Sequence, residues 1–243
     1  MFYVPQEHAE EANRAIETLS RIFGHTFAAD MLMTFQRNMG FYEDQRFMDA
    51  FNAETATPQE RSLVWRLHVL CWCAQNCLRR EGDFVECGVY RGFSTAVAAR
   101  YLDFGKLERR WHLYDTFSGV PSDQLNPDDE SPAIYTEPGI YEICARRFAA
   151  YANVHMTRGR VPEVLREEAP AKVAFLHLDM NSAAAEVAAL EFFADRLSPG
   201  AMIVLDDYGW RGYRAQKLAE DPFFAARGWP VLELPTGQGL VLV

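Results

Sequence analysis

The sequence predicts an α/β fold: a seven-stranded, mostly parallel sheet with an antiparallel last strand, preceded by N-terminal helices. Three observations carry this. From Asp83 onward, short apolar runs alternate with helical stretches, as a doubly wound sheet requires. Two of those runs end on acids, Asp179 after one and Asp206 with Asp207 after another, and the carboxyl ends of parallel strands form the ligand crevice of such sheets. The tight turn Thr236-Gly237-Gln238-Gly239 separates the last two apolar runs and makes them a hairpin, which reverses the final strand.

The chain before about Asp83 reads as helical. Apolar residues recur at threes and fours over 10–23 and again over 28–39. Thr57-Pro58-Gln59-Glu60 opens a stronger helix, because threonine caps, proline suits the first helical position and Glu60 closes a capping box; this helix is expected to reach about Arg80. Strands are expected at 84–89, 111–114, 154–157, 173–178, 201–205, 231–234 and 240–243, with helices at 94–102, 140–151, 162–167, 183–197 and 218–227. The expected division is a helical cap over 1–82 and a catalytic α/β domain over 83–243. Residues 117–138 escape the pattern, with four prolines and the acid run Asp128-Asp129-Glu130, and are expected to form a lid at the same sheet edge.

Charge and composition narrow the partners. Lys and Arg total 24 against 34 Asp and Glu, a formal charge of −10, which repels phosphate backbones and argues against nucleic acid. Cys71, Cys73, Cys77, Cys87 and Cys144 form neither a paired framework nor a zinc pattern and read as reduced core thiols. The first residues lack the features of a signal peptide and no uncharged apolar run reaches membrane-spanning length, so the expected place is the cytoplasm, with no membrane partner. Phe23, Phe27, Phe35, Phe41, Tyr42, Phe47 and Phe51 offer either a homo-oligomer interface or packing onto the sheet.

The chemistry concentrates after the first strand. In Glu86-Cys87-Gly88-Val89-Tyr90-Arg91-Gly92-Phe93-Ser94, Gly88 and Gly92 allow a sharp strand-to-helix turn with close approach of a cofactor, and Ser94 supplies a cap or a hydrogen bond. Tyr90 stands where a dinucleotide fingerprint needs its middle glycine, and Glu86 favours a cationic amino group over a pyrophosphate. S-adenosylmethionine fits that pattern better than a nicotinamide dinucleotide. Asp115, at the end of the next strand, is placed to accept hydrogen bonds from ribose hydroxyls. Asp179, Asp206 and Asp207 suit a hard cation, since clustered carboxylates repel one another unless a cation compensates them or one is protonated.

The motif around Glu86 to Ser94, together with Tyr114-Asp115-Thr116-Phe117-Ser118-Gly119-Val120-Pro121, Gly159-Arg160-Val161-Pro162-Glu163-Val164-Leu165, Leu178-Asp179 and Leu205-Asp206-Asp207-Tyr208, resembles the macrocin O-methyltransferase family. The resemblance runs from about Asp83 to the C-terminus. It implies a Rossmann-like class I methyltransferase fold related to catechol O-methyltransferase, and Mg²⁺-assisted methylation of a small-molecule hydroxyl, often on the sugar of an antibiotic. It further implies that Glu86, Gly88, Tyr90, Gly92, Ser94, Asp115 and Asp179 surround the cofactor and that Asp179, Asp206 and Asp207 take the metal.

Departures from that family pattern matter equally. Many members read Asp-Gly-Asp where this chain has Asp179-Met180-Asn181, and Ser182 stands where catechol-type enzymes carry a lysine base. His177 shares a strand face with Asp179 and is the candidate proton relay, its alternative being a satisfied core histidine. Tyr208 and Trp210 either floor the acceptor pocket or pack. Two rival readings stand beside the methyltransferase: a nicotinamide-dependent oxidoreductase, and a cofactor-binding paralogue without turnover.

Overall fold

A computed structural model describes residues 4–126 and 135–243. After an N-terminal helix α1 (Ala9–Phe23) comes a small hairpin, β1 (Thr26–Ala29) and β2 (Leu32–Phe35), then α2 (Gln45–Glu54), α3 (Pro58–Ser62) and α4 (Val64–Cys77). The main alternation follows: β3 (Asp83–Cys87), α5 (Phe93–Tyr101), β4 (Trp111–Asp115), α6 (Ile140–Phe148), β5 (Val154–Arg158), α7 (Leu165–Glu168) and β6 (Val173–Leu178). It closes with α8 (Ala183–Phe193), β7 (Leu197–Leu205), α9 (Arg214–Arg227), β8 (Leu232–Glu233) and β9 (Gly239–Leu242). The seven-stranded sheet has the order β5-β4-β3-β6-β7-β9-β8, and β9 runs antiparallel to both its neighbours, so the expected reversal of the last strand holds.

Burial explains why the strands read as continuous apolar runs: all six residues of β6 are buried, because helices cover both faces of a parallel sheet. Strand alternation sends neighbours to opposite cores. Phe84 and Phe175 pack with Phe47, Leu70 and Val97 on one side, whereas Val85 and Leu176 pack with Leu190, Phe193 and Phe224 on the other. Order along the sheet reverses between β3 and β6, so a crevice opens above their carboxyl ends.

The N-terminal region departs from the sequence expectation. Within 28–39, read as a helix, residues 28–35 belong to the β1–β2 hairpin instead. Asp30 and Met31 make its two-residue turn with φ of 49° and 57°, the pair of positive values that matches strand twist. The helix formers Ala28, Ala29, Met31, Leu32 and Met33 gave a helical signal that the turn overrides. Helix α2 was not expected; its signal was Asp44, whose carboxylate accepts a hydrogen bond from the Phe47 N–H at 3.0 Å. The capping box at Thr57 and Glu60 forms as expected, but the helix it opens breaks at Leu63 and resumes as α4. Phe27, Phe41, Phe47 and Phe51 are buried in the core, while Phe23 and Tyr42 remain exposed. Of the expected lid, residues 127–134 lie outside the described residues.

Candidate active site

A cavity of about 570 Å³ sits above the β3–β6 reversal. Gly88, Tyr90, Ser94, Asp115, Asp179, Asp206 and Asp207 all line it, as do Phe117, Pro121 and Tyr135. The N-terminal region closes the opposite wall through Asp30, Gln59, Glu60 and Arg66.

The turn after β3 is held by its neighbours. Gly88 has φ of +86°, and a Cβ there would lie 1.9 Å from the Asp179 carbonyl oxygen, so only glycine lets the ends of β3 and β6 approach this closely. Asp115, at the end of β4, fixes the same turn: one carboxylate oxygen accepts from the N–H groups of Val89 (2.6 Å) and Tyr90 (2.9 Å), the other from Phe117 N–H (2.6 Å). A carboxylate with two oxygens offers about four acceptor sites. Asp115 therefore keeps capacity for a ligand hydroxyl while it organises the turn.

Three residues expected at the site stand outside the cavity lining. Glu86 is 1% exposed and lies beneath the turn, where its carboxylate accepts from the Thr95 hydroxyl and pairs with His177 at 2.9 Å. Its placement answers a histidine rather than a ligand's amino group. Gly92 starts α5 with φ of +74°, and a Cβ would meet Phe148 and Cys144, so its smallness serves helix packing rather than cofactor approach. His177 is 1% exposed, between Glu86 and Asp206, with Nε2 3.6 Å from the Asp206 carboxylate. Burial opposes its charge, but the hydrogen bond to Glu86 and the negative charges of Glu86 and Asp206 prevail and raise it to about 10. An imidazolium cannot accept a proton, so the proton-relay role does not fit this geometry.

The acids form a second, differently built half of the site. One ligand atom each from His177, Asp179 and Asp206 lies within 4.8 Å of the others. Sequence reasoning missed the cation already present. Arg66 of α4, 8% exposed, donates from Nε to Asp30 at 3.2 Å and from Nη1 to Asp206 and, at 3.3 Å, to Asp207. The available signal was a lone arginine in the apolar stretch of α4, which has no reason to be buried without acids to meet.

Those cations serve the acids unequally. Burial works against the charge of Asp206, yet Arg66 and His177 outweigh it and hold the carboxyl below its ordinary range. Burial and repulsion from Asp206 and Asp207 push Asp179 well up. Burial also raises Asp207 against the pull of Arg66. Two carboxyls thus stay costly to ionise, and the buried Oδ1 of Asn181 has no hydrogen-bond partner among the described residues. Asp207 lies outside the cluster of His177, Asp179 and Asp206, but the oxygens of Asp179 and Asp206 with Asn181 Oδ1 beside them suit a hard divalent cation such as Mg²⁺.

The loop after β6 is held by a helix cap and by partners on neighbouring segments. Ser182 caps α8 by accepting from Ala185 N–H at 3.2 Å and donates to the Gln124 carbonyl at 2.6 Å, so its hydroxyl is committed. Glu186 on α8 accepts from Met180 N–H at 2.9 Å and from the Gln216 amide at 2.6 Å. Trp210 lines the cavity, with Arg66 5.3 Å from its ring centroid, whereas Tyr208 turns away and donates to Asp221.

The macrocin-O-methyltransferase (TylF) family model matches residues 6–227. The chain belongs to that family. The match takes in the N-terminal hairpin and α4, so Asp30 and Arg66 lie within the family region. A 4'-O-methyltransferase of a dimethoxyrhamnosyl tetracenomycin from Streptomyces olivaceus is 28% identical over 158 residues, and mycinamicin III 3''-O-methyltransferase from Micromonospora griseorubida is likewise 28% identical. Each match covers 59% of this chain, and the matched part is 60% of the first relative and 62% of the second. Among solved structures, the O-methyltransferase NovP has a TM-score of 0.64 at 18% identity, covering 96% of this chain and 98% of that one. The calicheamicin methyltransferase CalS11 has a TM-score of 0.61 at 17% identity, covering 83% and 92%. These likenesses show the class I methyltransferase fold of the TylF family. Among the described residues, no helix is long and apolar enough to cross a membrane.

Proposed function

We propose that this chain is an S-adenosylmethionine-dependent O-methyltransferase that requires a divalent cation and acts on a hydroxyl of a small molecule, the sugar of a natural product being the class its relatives' names point to. One observation carries the reading: the glycine turn with Asp115 and the acids Asp179, Asp206 and Asp207 meet in one cavity at the topological reversal of the sheet. When bound, S-adenosylmethionine supplies an electrophilic methyl group and the cation lowers the pKa of the hydroxyl that receives it.

The chain's own residues do the positioning, which is most of the catalysis in such a transfer. Asp115 holds the turn and offers its remaining lone pairs to the ribose, while Gly88 lets the cofactor lie against the main chain beside Tyr90 and Ser94. Asp179, Asp206 and Asp207 hold the cation, with the Asn181 amide oxygen as a neutral fourth donor. Glu86 acts one layer down by fixing His177, which in turn keeps Asp206 ionised. The N-terminal 82 residues act as a cap over the acceptor side, and the five buried free thiols suit a reducing cytoplasm. The exposed rings of Phe23 and Tyr42 are the part of the aromatic N-terminus left for a homo-oligomer contact.

A specific observation favours a second reading, a cofactor-binding paralogue without turnover: Ser182 is committed as a helix cap and Asn181 carries no charge, so no base stands beside Asp179 on this loop. Methyl transfer from labelled S-adenosylmethionine to a rhamnosylated tetracenomycin, measured with and without chelator, tests both. Turnover that chelation abolishes and Mg²⁺ restores better than Ca²⁺, whose looser geometry positions oxygen less tightly, supports the enzyme reading. Full turnover in excess chelator removes the metal requirement, and tight cofactor binding without turnover favours the paralogue.

A further inference from the structure

Arg66 holds the very oxygens that a cation would take. Its Nη1 donates to Oδ2 of Asp206 and to Oδ1 of Asp207. The other Asp206 oxygen is occupied by the Gln238 amide at 3.0 Å, with His177 at 3.6 Å. A divalent cation seated on Asp206 Oδ2 or Asp207 Oδ1 would lie against the guanidinium that already donates to both oxygens, and like charges that close repel, so the two compete for these acids. An arginine does not escape this by losing its proton, because its pKa lies above about 12.

The same guanidinium has a second anchor outside the ligand group. Asp30, at the tip of the N-terminal hairpin and 8% exposed, accepts from Nε at 3.2 Å, and the Trp210 ring lies 5.3 Å from the guanidinium carbon. Asp30, like Asp207, is not among the three residues whose ligand atoms cluster within 4.8 Å, but unlike Asp207 it stands on the N-terminal hairpin rather than at a strand end of the sheet. An arginine that gave up Asp206 and Asp207 would still hold a carboxylate and an aromatic face, both of which stabilise a buried guanidinium.

We propose that Arg66 is a resident counter-ion that competes with the divalent cation for Asp206 and Asp207, and that Asp30 receives it when the cation binds, so the Arg66–Asp30 pair sets the metal affinity of the site. The inference rests on the metal-dependent reading above and adds a positioning residue to it. It also gives the N-terminal hairpin a task at the site: the strength of its grip on Arg66 decides how readily the acids are released.

The test is calorimetric titration of Mn²⁺ into chelator-treated full-length protein, a readout that needs no acceptor. Arg66→Gln should bind Mn²⁺ about tenfold or more tightly than the natural chain, within the usual range for coupling between two such sites. Asp30→Asn should bind it more weakly in the natural background, because displaced Arg66 loses its receiving carboxylate, and should change little in the Arg66→Gln background. Circular dichroism checks the fold of each variant. Should Arg66→Gln fail to fold, Arg66→Lys takes its place, and its single-pronged ammonium is expected to yield the acids more readily and tighten binding by a smaller factor.

Two results overturn the proposal while sparing the metal reading: a folded Arg66 variant that binds Mn²⁺ no more tightly than the natural chain, or Asp30→Asn weakening binding equally in both backgrounds, which would make Asp30 act on the ion directly. Failure of the natural chain and of every variant to take up Mn²⁺ overturns the metal reading itself and this proposal with it.

Discussion

The two halves of the cavity handle their carboxylates in opposite ways. On the β3–β4 side, Asp115 is satisfied by three backbone N–H groups, so its charge is spread over the turn that it organises. On the β6–β7 side, Asp179, Asp206 and Asp207 face one another and share Arg66 and His177. The first half is complete as a folded object. The second carries negative charge that its own cations do not fully balance, and this difference separates a surface that receives a cofactor from one that calls for a cation.

The largest expected effect breaks the charged half. Asp206→Ala strips partners from Arg66, His177 and Gln238 at once and leaves a buried guanidinium poorly matched. Urea denaturation should show a loss of about 3 to 5 kcal/mol, the usual cost of removing one partner of a buried pair. On the opposite side, Asp115→Ala should weaken S-adenosylmethionine binding by about 1.5 to 3 kcal/mol, the range for hydrogen bonds to a charged group. Unchanged affinity in the folded variant would remove Asp115 from the ribose site.

A pH experiment sharpens the contrast further. His177 is raised from 6.5 to about 10 by the balance of Asp206 and Glu86 over burial. A group whose pKa rises on folding contributes stability that is fully present below its unfolded value and is lost as pH climbs through its folded one. With chelator present, stability should therefore decline between about pH 6.5 and 10, and His177→Gln should flatten that decline. An equal slope in both proteins would show that the imidazolium contributes nothing. The smallest effect belongs to Ser182→Ala, expected to cost about 1 kcal/mol of stability as a lost helix cap, with methyl transfer unchanged; a large loss of rate in the folded variant would make Ser182 a member of the catalytic machinery.

The sheet was legible because its signals are local. The alternation of short apolar runs and helical stretches, the strand-end acids and the turn at Thr236–Gly239 all lie within a few residues of the features they report. The acids Asp179, Asp206 and Asp207, with Asp115, Gly88, Tyr90 and Ser94, fell into the cavity for the same reason: strand ends in a doubly wound sheet have a fixed geography. What stayed hidden depends on pairing across the chain. Glu86 looked like a cofactor contact because nothing nearby in sequence announces His177, 91 residues away, as its partner. Arg66 stood out in the apolar stretch of α4, but its partners were hidden because its acids lie 36, 140 and 141 residues off. The hairpin at Thr26–Phe35 was misread because several of its residues favour helices, while the turn at Asp30 and Met31 and the packing of Phe27 against Phe41 and Trp65 support the extended form.

Calorimetric titration of S-adenosylmethionine, and separately of a nicotinamide dinucleotide, into the same protein with chelator present asks most directly whether this crevice is a methyltransferase cofactor site. One molecule of S-adenosylmethionine should bind per chain without any metal, since Asp115 and the glycine turn act independently of the cation, and the nicotinamide dinucleotide should give no heat of binding. Binding of the dinucleotide with no uptake of S-adenosylmethionine would contradict the proposed function at its root.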